Sequence, residues 1–236
     1  MPLGFPGDLS FYKLLTDWGS ILAGLLALVA GYLAYRAGGE QADATRKATD
    51  RQLKYQADAQ TAEILNIKTA IRAEVIAFAK FVIGALENCQ GIAAGTLTIP
   101  RSDANAIVRG LQKPTVFPAV ADRIALLKNP HLPVQFYIRI DEAKDMANTL
   151  SFATVARLGA HGTETSNITV DRSNALAIAD CLITALQLAR AMIIDVPANM
   201  SKIEQFVTSQ TGKDIDAAMA AARTSFPDAS SFQAPG

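Results

Sequence analysis

Residues 18–35 read WGSILAGLLALVAGYLAY, and no charged residue interrupts them between Asp17 and Arg36. At 1.5 Å per helical residue this run spans roughly 27 Å, close to the ~30 Å hydrocarbon core of a bilayer. We therefore expect residues 11–37 to form one transmembrane anchor helix in an all-α protein, with the lipid bilayer as its surroundings.

The ends of the run carry residue types that hold a helix at the membrane interfaces. Amphipathic aromatic rings prefer the headgroup zone, and a flanking cation reaches the same level. The predicted interface anchors are Trp18, Tyr32, Tyr35 and Arg36.

Lysine and arginine set the expected orientation. Only Lys13 precedes the run. The basic residues behind it are Arg36, Arg46, Lys47, Arg51 and Lys54. Because basic flanks stay on the cytoplasmic side, we predict a single-pass protein of the cell inner (plasma) membrane, with its N-terminus outside and its C-terminal domain in the cytoplasm.

Two alternative interpretations of the run are open. A cleavable signal peptide carries its basic residues before the apolar stretch, but here they follow it, and cleavage after Ala34 places the bulky Tyr32 at position −3. A buried core helix is the second alternative, although 18 apolar residues exceed the roughly 10–14 typical of such helices.

Small residues recur every four positions within the run, at Gly19, Ala23, Ala27 and Gly31. Such a stripe lets another helix backbone approach closely, so it is a candidate helix–helix interface with a membrane protein partner or with a second copy. The alternative is that Gly and Ala are simply common in membrane helices.

Composition excludes some partners and favours none. Lysine plus arginine total 22, as do aspartate plus glutamate, and no basic patch is interleaved with aromatics, so we predict no nucleic-acid binding. Cys89 and Cys181 fall on apolar helix faces and are interpreted as small buried residues in a reducing compartment, with a disulfide left open.

The remaining layout follows from glycine, proline and periodicity. We expect a flexible N-terminus (1–10), a hinge at Gly38 and Gly39 opening a polar helical stalk (38–63), a cytoplasmic helical bundle (64–222) and a disordered tail (223–236). A flexible linker is the alternative to the stalk.

The bundle begins with a heptad seam, interrupted upstream by Lys68. Its members are Ile71, Val75, Phe78, Val82, Ala85, Cys89 and Ile92. With about three heptads and no clear charge pattern beside them, packing within the chain's own bundle is favoured over a dimeric coiled coil.

Helix signals continue towards the C-terminus. Residues 134–158 form a long helical candidate, Asp171 or Ser173 caps the next helix, and Asn199 or Ser201 forms a capping box with Glu204. Thr211-Gly212 is expected to close that short helix, and residues 215–222 are expected to add one or two alanine-rich turns after it.

Residues that carry chemistry do not cluster. His131 and His161 fall in separate loops without metal-ligand spacing, and no nucleophile elbow, P-loop, dinucleotide fingerprint or HExxH occurs, so no catalytic, metal or cofactor site is predicted. The loop 159–167, with His161 and Glu164, is the one place where polar groups of useful type gather. An ordinary polar surface loop is the favoured interpretation of it. Three acidic residues on one helix (Asp141, Glu142 and Asp145) are interpreted as a solvated face.

The order of features resembles a broad group of bacterial single-pass inner-membrane proteins of the alphaproteobacterial type. The resemblance rests on Trp18, the apolar run to Tyr35, the basic helix 46–54 and the segment NPHLPVQFYIRI before a long helix. It implies an all-helical cytoplasmic part and no activity.

The leading functional hypothesis is a membrane-tethered, non-catalytic interaction or scaffold module. A membrane-anchored ligand-sensing or signalling protein is the alternative, and an apolar bundle pocket lined by a few polar groups would favour it. A membrane-bound enzyme of unknown chemistry is the third hypothesis.

Overall fold

The computed structural model describes residues 8–111, 113–160, 168–194 and 201–232. Its helices are α1 (Asp8–Ala93), α2 (Val116–Val120), α3 (His131–Ala160), α4 (Arg172–Ile194) and α5 (Lys202–Ser225). Single 3-10 segments cover Arg101–Ala106, Ala121–Leu126 and Ser230–Phe232. Within the described residues the one strand-like pairing is a single antiparallel bridge, so the all-α prediction is confirmed.

The chain divides into two compact units, Met1–Ala62 and Glu63–Gly236. In the first unit α1 begins at Asp8, so residues 8–10, expected to be flexible, are helical, and residues 1–7 lie outside the described part. Every side chain from 18 to 62 is exposed. The residues assigned to the stalk (38–63) lie within α1, so they are helical rather than a flexible linker. Their role as a spacer stays a prediction.

The glycine pair assigned to the hinge lies inside α1. The helix runs through Gly38 and Gly39 without a break, and among the described glycines only Gly95 has a positive φ. The helix does not end at this pair, because glycine weakens a helix without forcing it to stop. Hinge motion here stays a prediction.

The second unit is built on the predicted heptad seam. All seven seam residues are at most 8% exposed and belong to one hydrophobic cluster with α3 and α4. Packing within the chain's own bundle is therefore confirmed for the seam. Both cysteines are buried and free, as their apolar positions indicated.

The end of α1 is set by a glycine. Gly95 has φ 73°, its N–H donates to the Ile92 carbonyl at 3.1 Å, and the Thr96 N–H donates to the Gly91 carbonyl at 2.9 Å. This is the hydrogen-bond pattern of a Schellman cap, which needs a left-handed residue. This cap ends α1.

Helix α4 is the central element of this unit. It packs against α3, α5 and the last 3-10 segment, and ten of its residues are buried. Asp171 is its N-cap, since Asp171 Oδ1 accepts the Asn174 N–H at 2.9 Å. The other predicted cap, Ser173, instead donates its hydroxyl to the same carboxylate. That hydrogen bond from Asn174 is the main cause that lowers the pKa of Asp171.

A two-residue contact joins the start of α4 to the turn after α1. Thr169 bridges Pro100, with the Arg101 N–H donating to the Ile168 carbonyl at 2.8 Å. The bridge forms because tertiary packing brings two extended segments together.

Two expectations about the C-terminus were wrong. Helix α5 does not close at Thr211-Gly212 but runs to Ser225. Gly212 is buried, and a Cβ there would lie 3.0 Å from Arg190 Nη1, so the glycine serves close packing on α4 rather than a stop. The predicted capping box of Ser201 and Glu204 is confirmed.

The tail assigned to 223–236 is also packed over its described part. Phe226 and Ala229 are 2% and 1% exposed. Asp180 on α4 accepts the Ser230 hydroxyl and the Ser231 N–H, the latter at 2.7 Å. We call residues 226–232 the C-terminal strap. Its low-complexity composition concealed the two buried apolar residues.

Candidate functional site

The predicted interface stripe lies on the exposed surface of α1. Gly19, Ala23, Ala27 and Gly31 are all exposed, and a Cβ added at Gly19 or Gly31 would meet no atom within 4 Å. The stripe is therefore sterically accessible to another helix, which is the condition the hypothesis requires. Its use as an interface stays a prediction.

The expected interface anchors are exposed side chains of the same helix. Trp18, Tyr32 and Tyr35 are 60%, 64% and 83% exposed. Arg36 Nε lies 3.3 Å from Glu40 Oε1 one turn later. At this exposure such a pair contributes only about 0.3–0.5 kcal/mol to the helix.

The residues considered for chemistry do not form a site in the described part of the chain. His131 is exposed at the start of α3, while His161 and Glu164 lie outside the described residues. The described residues contain no group of three or more His, Cys, Asp or Glu that could hold a metal. Two of the three acidic residues on α3 form ion pairs instead, Asp141 with Lys144 at 3.6 Å and Glu142 with Arg139 at 2.8 Å.

One pocket of about 160 Å³ lies in the bundle where the heptad seam is interrupted. Its walls come from α1, the segment before α3, the first turn of α3 and the end of α4. The apolar lining consists mainly of Ile64, Ile71, Leu127, Leu132, Pro133 and Met192. The polar lining consists of Lys68, Arg72, Lys128 and Asn129. We call it the basic pocket.

Helix geometry places two of the cations side by side. Lys68 and Arg72 are four residues apart on α1 and so share one face. Arg72 is only 5% exposed, and its Nη2 donates to the Ile193 carbonyl at 3.4 Å. A cation at the last turn of α4 also suits the negative end of that helix dipole.

The field of Arg72 extends to the start of α5. The pKa of Glu204 is lowered mainly by its hydrogen bonds from Ser201, and Arg72 adds a smaller electrostatic contribution in the same direction. Glu63, on the same helix as Arg72, has its Oε1 3.0 Å from Arg123 Nη1. Among the described residues that line the basic pocket, the three charged ones are cations.

A second polar feature, Glu74, lies two residues beyond Arg72. Glu74 is 8% exposed. Its Oε1 accepts the Thr115 N–H at 2.6 Å, the Thr115 hydroxyl at 3.1 Å and the Val116 N–H at 2.7 Å. Its Oε2 accepts the Phe117 N–H at 3.1 Å and the Tyr137 hydroxyl. We call this arrangement the Glu74 clasp.

The clasp is structural rather than catalytic in its chemistry. A carboxylate offers about four lone-pair positions, and five intramolecular donors occupy them. Three of these donors are the unsatisfied N–H groups at the start of α2, which a distant carboxylate caps in place of a local side chain. The Tyr137 ring also packs on Phe117 at 4.4 Å between ring centres.

The clasp shifts both of its titratable groups. Burial alone would raise the pKa of Glu74, but hydrogen bonds from Tyr137 and from three backbone N–H groups outweigh it, so the pKa lies below its ordinary value. Burial, with the neighbouring Glu74 carboxylate, raises the pKa of Tyr137. The pair is therefore carboxylate and phenol throughout the neutral range.

Sequence reasoning missed both the pocket and the clasp, although one signal was present. Lys68 was noted only as a break in the heptad register, and that break is where the pocket opens. Glu74 gave no local signal, because its partners lie 41 to 63 residues away.

Comparison with known proteins adds no relative: no protein-family model, no curated protein and no solved structure matches this chain.

Proposed function

We propose that this protein is a membrane-tethered, non-catalytic helical module that holds its bundle at the bilayer and binds a partner there. One observation carries the proposal. The 18-residue apolar window of α1 has a mean hydropathy of 1.6, and none of it is buried within the protein.

The physical argument concerns what this surface needs. The ten large apolar side chains from Trp18 to Tyr35 are 49% to 83% exposed. Exposing them to water is unfavourable by about 25 cal/mol per Å² of apolar area, and a bilayer removes that contact. The helical hydrogen bonds already satisfy the backbone, as a membrane span requires.

The flanking charges support one orientation. Lys13 is the single basic residue before the span, and four more follow Arg36 within twenty residues. The positive-inside rule then places the N-terminus outside and the bundle in the cytoplasm. In this arrangement the small-residue stripe faces the lipid or a second helix.

The test is a gentle-detergent purification of the tagged, full-length protein from its native membrane, with mass spectrometry of what co-purifies. We expect a stoichiometric membrane partner. Ala27→Leu should remove that partner, because the added side chain projects from the small-residue stripe. Val29→Phe, which adds bulk about 200° around the helix, is the matched control and should retain it.

Two results would count against the proposal. Recovery of the protein alone argues against a scaffold, and retention of every partner by Ala27→Leu shows that the stripe is not the interface.

A second candidate function, a membrane-anchored ligand-sensing protein, is favoured by the basic pocket. An apolar cavity with a few convergent polar groups is the usual form of a small-molecule site. The two candidates make opposite predictions, since Ala27→Leu should leave ligand binding to the bundle unchanged.

A further inference from the structure

We infer that a groove between the end of α4 and the first turns of α5 binds a small neutral amide, whose carbonyl oxygen accepts hydrogen bonds from Arg190 and Thr208. We call it the α4–α5 groove. It shares no described lining residue with the basic pocket. The inference goes beyond the proposed membrane-tethered function and does not depend on it.

The α4–α5 groove has a volume of about 350 Å³, which lies within the roughly 300–1,000 Å³ of small-molecule sites. Its two isoleucines form an apolar wall, and its other side chains bring polar groups to that wall. The described lining residues are Arg190, Ile193, Ile194, Gln205, Thr208 and Ser209. A ligand with an apolar body and one polar end suits this lining.

The hydroxyl of Thr208 points to a ligand. Thr208 is only 5% exposed, and within the described part of the chain its Oγ1 has no hydrogen-bond partner. A helical threonine can donate to the carbonyl one turn earlier, as Thr224 of the same helix does to Ala220 at 3.3 Å. Because a buried hydroxyl without a partner is unfavourable, a polar ligand atom beside Thr208 is stabilised.

Arg190 supplies a second donor that points away from its ion pair. Its Nε and Nη2 donate to Asp216 Oδ1 and Oδ2, both at 2.9 Å. In the planar guanidinium, Nη1 lies opposite a carboxylate that is held in this way. The guanidinium lies over Gly212, where a Cβ would be 3.0 Å from Nη1. Since Asp216 is one turn after Gly212 and Thr208 one turn before it, Nη1 faces the Thr208 side.

The charge balance favours a neutral ligand. Arg190 is the only charged residue among the described lining residues, and its pair with Asp216 offsets that charge. A carboxylate ligand at Nη1 would bring a second negative charge near Asp216. A carbonyl oxygen adds no charge, and its two lone pairs match the two donors, Nη1 and the Thr208 hydroxyl.

The experiment uses the full-length protein in nanodiscs of zwitterionic lipid and follows three probes by ¹⁹F NMR, with empty nanodiscs as the reference. The probes are 4-fluorobenzamide, the anionic 4-fluorobenzoate and 4-fluorotoluene, which has the ring without a polar group. We expect saturable binding of the amide. Binding of the other two should be weaker by about tenfold, because one adds charge and the other leaves Thr208 unpaired.

The variant Thr208→Val tests the hydroxyl by two measurements. Binding of 4-fluorobenzamide should weaken by about tenfold through loss of one hydrogen bond. The urea midpoint of the ligand-free bundle should rise, because a methyl group replaces a buried hydroxyl that has no partner. Thr224→Val removes an exposed hydroxyl of the same helix outside the groove. It is the matched control and should bind the amide normally.

A second variant blocks the groove and leaves its donors in place. Ser209 is an exposed lining residue, so Ser209→Phe places a ring in the groove while Arg190, Asp216 and Thr208 remain. Binding of 4-fluorobenzamide should be lost.

Several outcomes would overturn the inference. Equal binding of 4-fluorotoluene would make the groove purely apolar, and tighter binding of 4-fluorobenzoate would make it an anion site. A lower urea midpoint in Thr208→Val would show that ordered water already satisfies the hydroxyl in the free protein. Unchanged binding in Ser209→Phe, or no saturable amide binding at millimolar concentration, would also refute it. Should Thr208→Val fail to fold, Ser209→Phe decides alone.

Discussion

Two helices of this protein have nearly the same hydropathy and opposite surroundings. The apolar window in α1 averages 1.6 and is not buried, whereas the window in α4 averages 1.7 and is half buried within the bundle. Both have the length and composition of a membrane span. The comparison teaches that hydropathy identifies a helix that avoids water but does not say what covers it.

What separates them is the distribution of polar groups. The α1 window has no charged residue. Helix α4 carries Asp180 and Arg190 on faces that bind the C-terminal strap and α5, through Ser231 and Asp216. A helix with charged partners on fixed faces belongs to a bundle, because those charges would be unfavourable in lipid.

The largest expected effect comes from a leucine-to-alanine substitution in α4, and the same substitution in α1 is its control. Leu182→Ala removes a side chain that is 0% exposed in α4, and we expect it to lower the free energy of unfolding of the bundle by about 2–5 kcal/mol. Leu26→Ala in α1, at 69% exposure, should leave bundle stability unchanged.

Thiol labelling during urea unfolding in nanodiscs measures this difference. Cys89 is 0% exposed, and burial raises its pKa to about 12, so it reacts at pH 8 only after the bundle opens. Equal shifts in the two variants would mean that the helices share one environment.

A charge in the α1 window tests its membrane assignment. Leu26→Arg should oppose insertion by about 2.5–3.5 kcal/mol and release a large share of the protein on alkaline carbonate extraction. Leu53→Arg, at an exposed position behind the window, should stay with the membrane. Normal retention of Leu26→Arg would contradict the assignment.

The Glu74 clasp allows a test of what stabilises the bundle. Glu74→Gln leaves N–H donors at the start of α2 without a charged acceptor and should cost about 1–3 kcal/mol of bundle stability. Glu87→Gln on an exposed face of the same helix should change stability by less than about 0.5 kcal/mol. Urea unfolding of the two variants gives the answer.

The clasp also makes bundle stability depend on pH. The pKa of Glu74 is lower in the folded protein than its ordinary value of 4.5. Its stabilisation is therefore fully present above that value and is lost as the pH falls through the folded pKa. Between pH 5 and pH 3 the wild type should lose more stability than Glu74→Gln. A parallel loss in both would exclude Glu74 as the titrating group.

The smallest effect concerns the polar face of α4. Asp180 accepts two donors of the strap, and these lower its pKa although burial opposes them. Asp180→Asn should weaken the strap by about 1 kcal/mol and speed limited proteolysis within residues 226–232. Asp214→Asn, on the exposed side of α5, serves as the control, and equal cleavage of both variants would refute the strap's attachment.

Local rules predicted much of the fold correctly. The heptad seam, the Asp171 cap and the capping box of Ser201 with Glu204 depend on neighbours within a few turns, so the sequence contains all the information they need. The polar segment after Gly39 is helical because its residues favour helix, although nothing packs on it in the first unit.

The errors share a cause at longer range. Gly212 was interpreted as a helix stop because glycine often ends helices, but its missing side chain admits Arg190 from α4. The tail was interpreted as disordered from its composition, but Phe226 is buried and Asp180 binds the residues after it. In each case a partner distant in sequence decided the outcome.

By itself, the sequence determined the helical class, the charge-free window and the caps, because these follow from spacing and residue type along a short stretch. Only the tertiary structure decided the basic pocket and the Glu74 clasp. The carboxylate of Glu74 meets donors 41 to 63 residues away, and Arg72 meets a carbonyl 121 residues away. Such meetings depend on how whole helices pack, which no local period encodes.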